Sequence, residues 1–408
     1  MLNIFKEMDS MAKLTIDDLN LNNKRILVRV DFNVPFTENL EVADDTRIRA
    51  ALPTIKKIVD SNGKAILMSH LGRPKGQVIE SMRLVPVVKR LSQLLEKEIK
   101  YVPDCIGEIV ENTVSKLQNG EILLIENLRF YKEETNNDPE FAKRLAKLGD
   151  IYINDAFGTA HREHASTEGV TKYFEQCAAG YLMQKELKYL GEAIENPKHP
   201  FLAILGGAKI SDKIDVIANL LTKVDALLIG GGMTYTFLNA QNIEIGNSLL
   251  EADKIQLARD VLDKAAAQKV NFKLPSDHII ANEVSEIAET QVSKNQTIPS
   301  GWAGVDIGPK TVQQFKNILR DANTVIWNGP MGVFEIDKFA KGTIEIARML
   351  AEITSRGATT VIGGGDSVAA LAKAGVTDKV THVSTGGGAS LEFLAGIKLP
   401  GIEALNDK

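Results

Sequence analysis

Short runs of aliphatic and β-branched residues recur along the chain, at positions 26–30, 65–68, 122–125, 151–153, 201–205, 226–229, 325–327 and 360–362. They lack the apolar–polar alternation of a sheet with one wet face, so they predict strands buried on both faces. Between them the period lengthens. Leu84, Val87, Val88, Leu91, Leu94 and Leu95 share one face of a helix over 84–95. Asp138 and Pro139 give a second helix, over 139–148, an N-cap and a proline at its first position. Strand and helix alternating over this length predict an α/β fold of two doubly wound domains with mainly parallel sheets. A chain of 408 residues is too long for one ordinary domain. The expected seam is a helix-containing hinge at 184–200, where a stretch carrying Lys185, Leu187, Lys188, Leu190 and Ile194 ends at Asn196 and Pro197. Domains are accordingly expected at 13–184 and 185–395, with a tail at 396–408 and an N-terminal extension at 1–12.

Composition narrows the partners. Lys and Arg number 48 against 53 Asp and Glu, a net charge of -5, which lacks the basic excess of a general nucleic-acid binder. No apolar run approaches the ~18 residues of a membrane span, and residues 1–10 lack a signal-peptide pattern, so a cytoplasmic address is expected. Cys105 and Cys177 have no second Cys or His at metal-ligand spacing and are expected to be packing residues. The distribution of two residue types says more: ten of the 14 Arg precede residue 185, whereas 23 of the 32 Gly follow it. Arginine binds compact anions through charged, bidentate hydrogen bonds, and glycine turns at helix starts bind phosphate through bare backbone N–H groups. One half is therefore suited to a small anionic substrate and the other to a nucleotide.

In parallel sheets ligands lie beyond the C-terminal ends of the strands. In the first half those ends offer Asp31, Asn33, His70, Arg73, Arg129 and, after Asn154 and Asp155, His161, Arg162 and His164. A lone arginine after a strand is usually a surface ion pair, but coincidence in three loops of one sheet favours a ligand site. Arg47 and Arg49 follow an Asp44–Asp45 pair at an expected helix start, and position alone leaves Arg47 undecided. His70 and His164 read equally as acid–base groups or as anchors. In the second half Lys209 and Lys213 are four apart on the expected first turn of a helix, where cations oppose the macrodipole unless an anion lies between them. Glycine triplets at 230–232, 363–365 and 386–388 each follow a strand and open a helix, which suggests backbone nests for a polyphosphate. Asp366 would reach a phosphate-bound Mg²⁺, and Glu335 a ribose hydroxyl. No P-loop, Gly-x-Gly-x-x-Gly or protein-kinase glycine loop is present. The missing Gly-x-Gly-x-x-Gly counts against a two-domain dehydrogenase, which a nicotinamide-binding assay separates. A non-catalytic protein of the same fold remains the second alternative, separable by a coupled ATP assay.

The segments at 29–35, 69–74, 126–130, 206–213, 327–335, 363–367, 385–390 and 399–405 resemble, in order, the signatures of the phosphoglycerate kinase family, and the resemblance runs from about Lys13 through Leu405. It implies reversible transfer of a phosphoryl group from 1,3-bisphosphoglycerate to Mg-ADP, giving 3-phosphoglycerate and Mg-ATP, directly and on domain closure. It implies a phosphoglycerate site of Asp31, Phe32, Asn33, Arg47, His70, Leu71, Gly72, Arg73, Arg129 and Arg162. It implies a nucleotide site of Lys209, Lys213, Gly304, Glu335, Gly364, Gly365, Asp366 and Ser367, with Mg²⁺ at Asp366. Arg47, Lys209 and Gly387 would lie beside the group in flight. The 399–405 segment resembles the one that returns to the first domain. A monomer is expected, without nucleic-acid or membrane partners. Residues 1–10 precede the family's usual start and are assigned no function.

Overall fold

A computed structural model describes residues 13–408; the extension expected at 1–12 lies outside the described residues. The chain divides into two compact units, one of the residues up to Leu187 together with Lys398–Lys408, the other Lys188–Ile397. These limits lie within a few residues of the expected seams at 184/185 and 395/396.

The first unit is built on six strands: β1 (Arg25–Val30), β2 (Lys64–Met68), β3 (Lys100–Tyr101), β4 (Ile122–Leu124), β5 (Ile151–Asp155) and β6 (Cys177–Ala179). They are ordered β3-β4-β2-β1-β5-β6 and every pairing is parallel, so all their C-terminal ends lie along one edge. Helices α1 (Thr46–Asp60), α2 (Val85–Leu95), α3 (Glu108–Ser115), α4 (Lys132–Thr135) and α5 (Pro139–Ala146) connect them. The period-2 alternation of β1 sends Ile26, Val28 and Val30 into one core with Ile48, Ile55 and Ile58 of α1 and Val87 and Leu91 of α2. Leu27 and Arg29 face the opposite side, and both are fully buried. The expected helix over 139–148 forms as α5, with the Asp138 carboxylate accepting from the Phe141 amide at 2.8 Å. Helix α6 (Tyr181–Glu195) carries the chain across the seam.

The second unit repeats the plan with β7 (Phe201–Leu205), β8 (Ala226–Ile229), β9 (Asn271–Lys273), β13 (Thr324–Asn328), β14 (Thr359–Gly363) and β15 (His382–Val383), ordered β15-β14-β13-β7-β8-β9 and again all parallel. A smaller antiparallel sheet, β10 (His278–Ala281), β11 (Thr290–Val292) and β12 (Ala303–Ile307), is inserted before β13. Its helices are α7 (Ile214–Leu220), α8 (Met233–Ala240), α9 (Ile255–Ala267), α10 (Pro309–Leu319), α11 (Lys341–Ser355), α12 (Gly365–Ala374) and α13 (Gly388–Leu394). Leu202, Ile204, Val325, Trp327 and Ile362 of the sheet pack with Phe315 of α10 and Ile346 and Leu350 of α11. The fold is α/β with two sheets of six parallel strands. Among the described residues no helix is long and apolar enough to cross a membrane.

Candidate active site

The C-terminal edge of the first sheet gathers cations. Arg47, on the first turn of α1, donates through Nη1 to Asp31 Oδ2 at 3.0 Å and to the Asn33 carbonyl at 3.1 Å. Asp44, one residue before the N-cap Asp45, accepts from the Thr46 amide, while the Asp45 carboxylate is held by Arg49 and Arg90. Asn33 Oδ1 accepts from the Gly72 amide at 2.9 Å, and Arg129 Nη1 donates to the Gly72 carbonyl at 2.7 Å. Gly72 has φ +63°, which a side chain would strain. Asp31, Asn33, Arg47, Gly72 and Arg129 are thus linked by hydrogen bonds, His70 Nδ1 stands 3.9 Å from Asp31 Oδ1, and the charge of Arg162 acts on Arg129. Arg73, in the same loop as His70, is exposed. Phe32 and Leu71 bury their side chains in the core, so what they offer is backbone.

The electrostatics show what this cluster lacks. Burial, reinforced by Arg29, Arg129 and Arg47, holds His70 well below the usual imidazole range. Burial and the charges of Arg129, Arg29 and Arg162 bring His164 to about 3, and burial with Arg162 brings His161 to about 4. Arg129 itself falls to about 10, first through burial and then through Arg29. Burial comes first in all four shifts and a neighbouring arginine second, and an anion bound here would favour the charged forms. His70 and His164 are therefore not poised to donate protons at neutral pH. Sequence reasoning passed over Asn127: its fully buried amide bonds Leu71 through both backbone groups, the Met82 carbonyl and the Arg129 amide, tying two site loops together.

The second unit presents glycine loops around a buried lysine. One expectation is corrected here. Lys209 and Lys213 do not lie on a first helical turn, because residues 207–213 form bends and a turn and α7 starts only at Ile214. The reason is tertiary: Glu251 accepts from the Ile210 and Ser211 amides, and Gly207 takes φ +112°. Lys213 lies at the N-cap, almost buried, with Nζ bonded to Asn328 Oδ1. Burial lowers its ammonium to about 8 against the pull of Asp212 and Asp366. Lys209 is exposed on the same loop.

Gly206, Gly231 and Gly329 pack backbone on backbone; a Cβ on Gly206 would stand 2.0 Å from the Pro330 carbonyl oxygen. Ser367 Oγ accepts from the Gly329 amide at 2.6 Å, which ties the start of α12 to the loop after β13. Asn328 ends β13, just before that loop. Its Nδ2 is buried without a partner, directly beside Gly363 and Gly364, and a buried amide of this kind calls for an acceptor. Lys213, Asn328, Gly364, Asp366 and Ser367 therefore form one group. Gly365, Asp366 and Glu335 are exposed. Gly304 lies in β12, its amide donating to Ser248 Oγ and its Cα against Tyr235, with no bond to that group. Gly387 opens α13 with φ +52° and open space where a side chain would be.

Comparison with known proteins decides what this arrangement belongs to. The family model described as phosphoglycerate kinase matches residues 16–397. The chain belongs to the phosphoglycerate kinase family. It is 57% identical to the phosphoglycerate kinase of Chlorobium phaeobacteroides, covering 97% of this chain and 100% of that one, and 55% identical to the chloroplastic enzyme of Volvox carteri, covering 97% and 87%. Its fold matches the solved phosphoglycerate kinase of Coxiella burnetii with a TM-score of 0.88 at 42% identity, over 96% of this chain and 98% of that one. For the Pyrococcus horikoshii structure the TM-score is 0.83 at 33% identity, over 96% and 98%. Membership makes the chain an enzyme of glycolysis, a kinase, as the strand-end motifs implied.

A divalent ion is consistent with the donor set. Mg²⁺ is usually held by one or two carboxylates together with substrate phosphates. Asp366 is one exposed carboxylate on the first turn of α12, and among the described residues no group of three or more His, Cys, Asp or Glu could hold an ion alone. Such an ion would arrive with the nucleotide, held by Asp366 on the protein side.

Proposed function

We propose that the chain transfers a phosphoryl group reversibly between the acyl phosphate of 1,3-bisphosphoglycerate and Mg-ADP, yielding 3-phosphoglycerate and Mg-ATP, with a carboxyl group as acceptor in the reverse direction. The observation that carries this reading is the gathering of cations at the C-terminal edge of the first sheet, where burial and then the charge of Arg29 lower Arg129, and burial with the neighbouring arginines keeps His70 and His164 neutral. A ligand with both a phosphate and a carboxylate would supply the missing negative charge. Asn33, Arg47, His70, Arg73, Arg129 and Arg162 would bind and orient it, with Asp31 holding Arg47 in place.

In the second unit Lys213, the Asn328 amide and the glycine loops at 206–207 and 363–365 would receive the phosphates, and Glu335 and Gly304 the nucleoside. Mg²⁺ held with the nucleotide by Asp366 would neutralise phosphate charge. The side chains Arg47 and Lys209, with the backbone at Gly387, stabilise the charge spread over the transferred group. No general base is required in the ATP-consuming direction, because an ionised carboxylate attacks and has no proton to lose. With one ligand assigned to each unit, direct transfer requires the units to close on the pair and exclude water. The reading takes the enzyme to be cytoplasmic and monomeric.

The test is a coupled assay with 3-phosphoglycerate and Mg-ATP. Wild type should turn over, Arg129→Ala should lose affinity for 3-phosphoglycerate alone, and Lys213→Met for the nucleotide alone. Equal loss of both ligands in either variant would contradict the assignment of one ligand to each unit.

A further inference from the structure

Beneath the cation cluster of the first unit runs a chain of buried hydrogen bonds that begins at two residues with no assigned part in the reaction. Glu134, in α4, is fully buried; its Oε1 accepts from Ser166 Oγ at 2.6 Å and its Oε2 from the Ser166 amide at 3.0 Å. With its proton directed to the carboxylate, the Ser166 hydroxyl presents a lone pair, and Arg29 Nε donates to it at 2.9 Å. Arg29 Nη1 donates to the Val30 carbonyl, which leaves Nη2 to meet His70 Nδ1 at 3.1 Å. A guanidinium has donors and no acceptor, so Nδ1 is the acceptor and the proton of the neutral ring is on Nε2.

Each link fixes the next: the carboxylate sets the hydroxyl, the hydroxyl sets the roll of the guanidinium, and the guanidinium sets the tautomer. Glu134, Ser166 and Arg29 are 0% exposed and His70 4%, so water does not compete. The alternative tautomer has a ready partner, because Asp31 Oδ1 lies 3.9 Å from the same Nδ1 and would favour a proton there if Arg29 withdrew. The charges of Arg129, Arg47 and His164 also act on His70.

We propose that Glu134 and Ser166, acting through Arg29, hold His70 as its Nε2–H tautomer and so make it a fixed hydrogen-bond donor to the phosphoglycerate. Both are positioning residues, and the inference rests on the reading of this cluster as the phosphoglycerate site.

The experiment labels the histidines of the full chain with ¹⁵N, assigns His70 by comparison with His70→Gln, and measures binding of 3-phosphoglycerate and of ADP by calorimetry. Wild type should show His70 with Nε2 protonated and Nδ1 bare. In Ser166→Ala the two resonances should move toward the Nδ1–H form, with the Kd for 3-phosphoglycerate rising about tenfold, as expected when a buried charged hydrogen bond is lost, and ADP affinity unchanged. Glu134→Gln keeps the shape and one acceptor oxygen, should shift the resonances in the same direction, and decides the matter alone if Ser166→Ala does not fold. Because both variants act through one chain, the double variant should lose no more than the worse single one. Unmoved His70 resonances in a folded variant, a wild-type ring already protonated on Nδ1, or equal weakening of both ligands would overturn the proposal. Arg129→Ala serves as the control. If it binds 3-phosphoglycerate as well as wild type does, the substrate reading fails, an outcome distinct from a failure of the relay with that control behaving as expected.

Discussion

Replacing Lys213 with methionine should weaken nucleotide binding and, at the same time, change how the stability of the second unit depends on pH. In the folded protein burial lowers the Lys213 ammonium to about 8 from an ordinary 10.5. At about 1.4 kcal/mol per pH unit, keeping it charged below pH 8 costs roughly 3 kcal/mol. The unfolded chain retains its proton up to about pH 10.5, so between pH 8 and 10.5 the unfolded state binds more protons and stability rises with pH. Below pH 8 both states are protonated and the cost is constant. Lys213→Met removes this cost but leaves Asn328 Oδ1 buried without its donor, a loss of about 2 kcal/mol. The net gain at pH 7 should be about 1 kcal/mol, shrinking and then reversing as pH approaches 10.5. Both tryptophans, Trp302 and Trp327, lie in the second unit, so urea titration followed by their fluorescence reports that unit. Parallel wild-type and variant stability curves from pH 7 to 10.5 would refute the reasoning, as would a variant that binds ADP as tightly as wild type.

Four further outcomes are expected. Arg47→Ala should lower kcat about a hundredfold or more with the circular dichroism spectrum unchanged, because its charge is wanted in the transition state; unaltered turnover would exclude that role. Asp366→Ala should weaken binding of Mg-ADP far more than that of ADP without metal, and an identical Mg²⁺ dependence of activity would make the carboxylate structural. Gly206→Ala should destabilise the second unit by about 3 kcal/mol in the tryptophan-monitored titration, since its Cβ would meet backbone at Pro330 that cannot yield. Small-angle scattering should show the smallest radius of gyration only with both ligands bound, and one radius in all four ligation states of an active preparation would count against closure.

The eight apolar runs all became strands because each is buried on both faces, where sequence and environment agree. Several of the strands the sequence concealed are short or wet. β9 and β11 are edges whose residues are mostly exposed, so no apolar pattern marks them and their place comes from pairing with β8 and β10. The spacing of Lys209 and Lys213 suggested a helical turn, but α7 starts only at Ile214, and the loop before it is held by Glu251, some 40 positions away, which accepts from the Ile210 and Ser211 amides. Candidate site residues at strand ends were legible as candidates from their chemistry and motif order. Asn127, Ser166 and Glu134 were not, because each derives its importance from partners 32 to 137 positions distant, beyond any local period.

In the proposed reaction the phosphoryl group passes directly between the two ligands, without an enzyme-bound phosphate. Both cysteines are buried with their thiols raised, and His70 is locked in a hydrogen bond to Arg29, which leaves these groups poorly suited to act as nucleophiles. The direct measurement is the stereochemical course of transfer from ATP made chiral at the γ-phosphorus, using a thio and isotopic-oxygen label, to 3-phosphoglycerate. A single in-line displacement inverts the phosphorus, and inversion is the result predicted. Retention would require two displacements through a phosphorylated residue and would contradict the account.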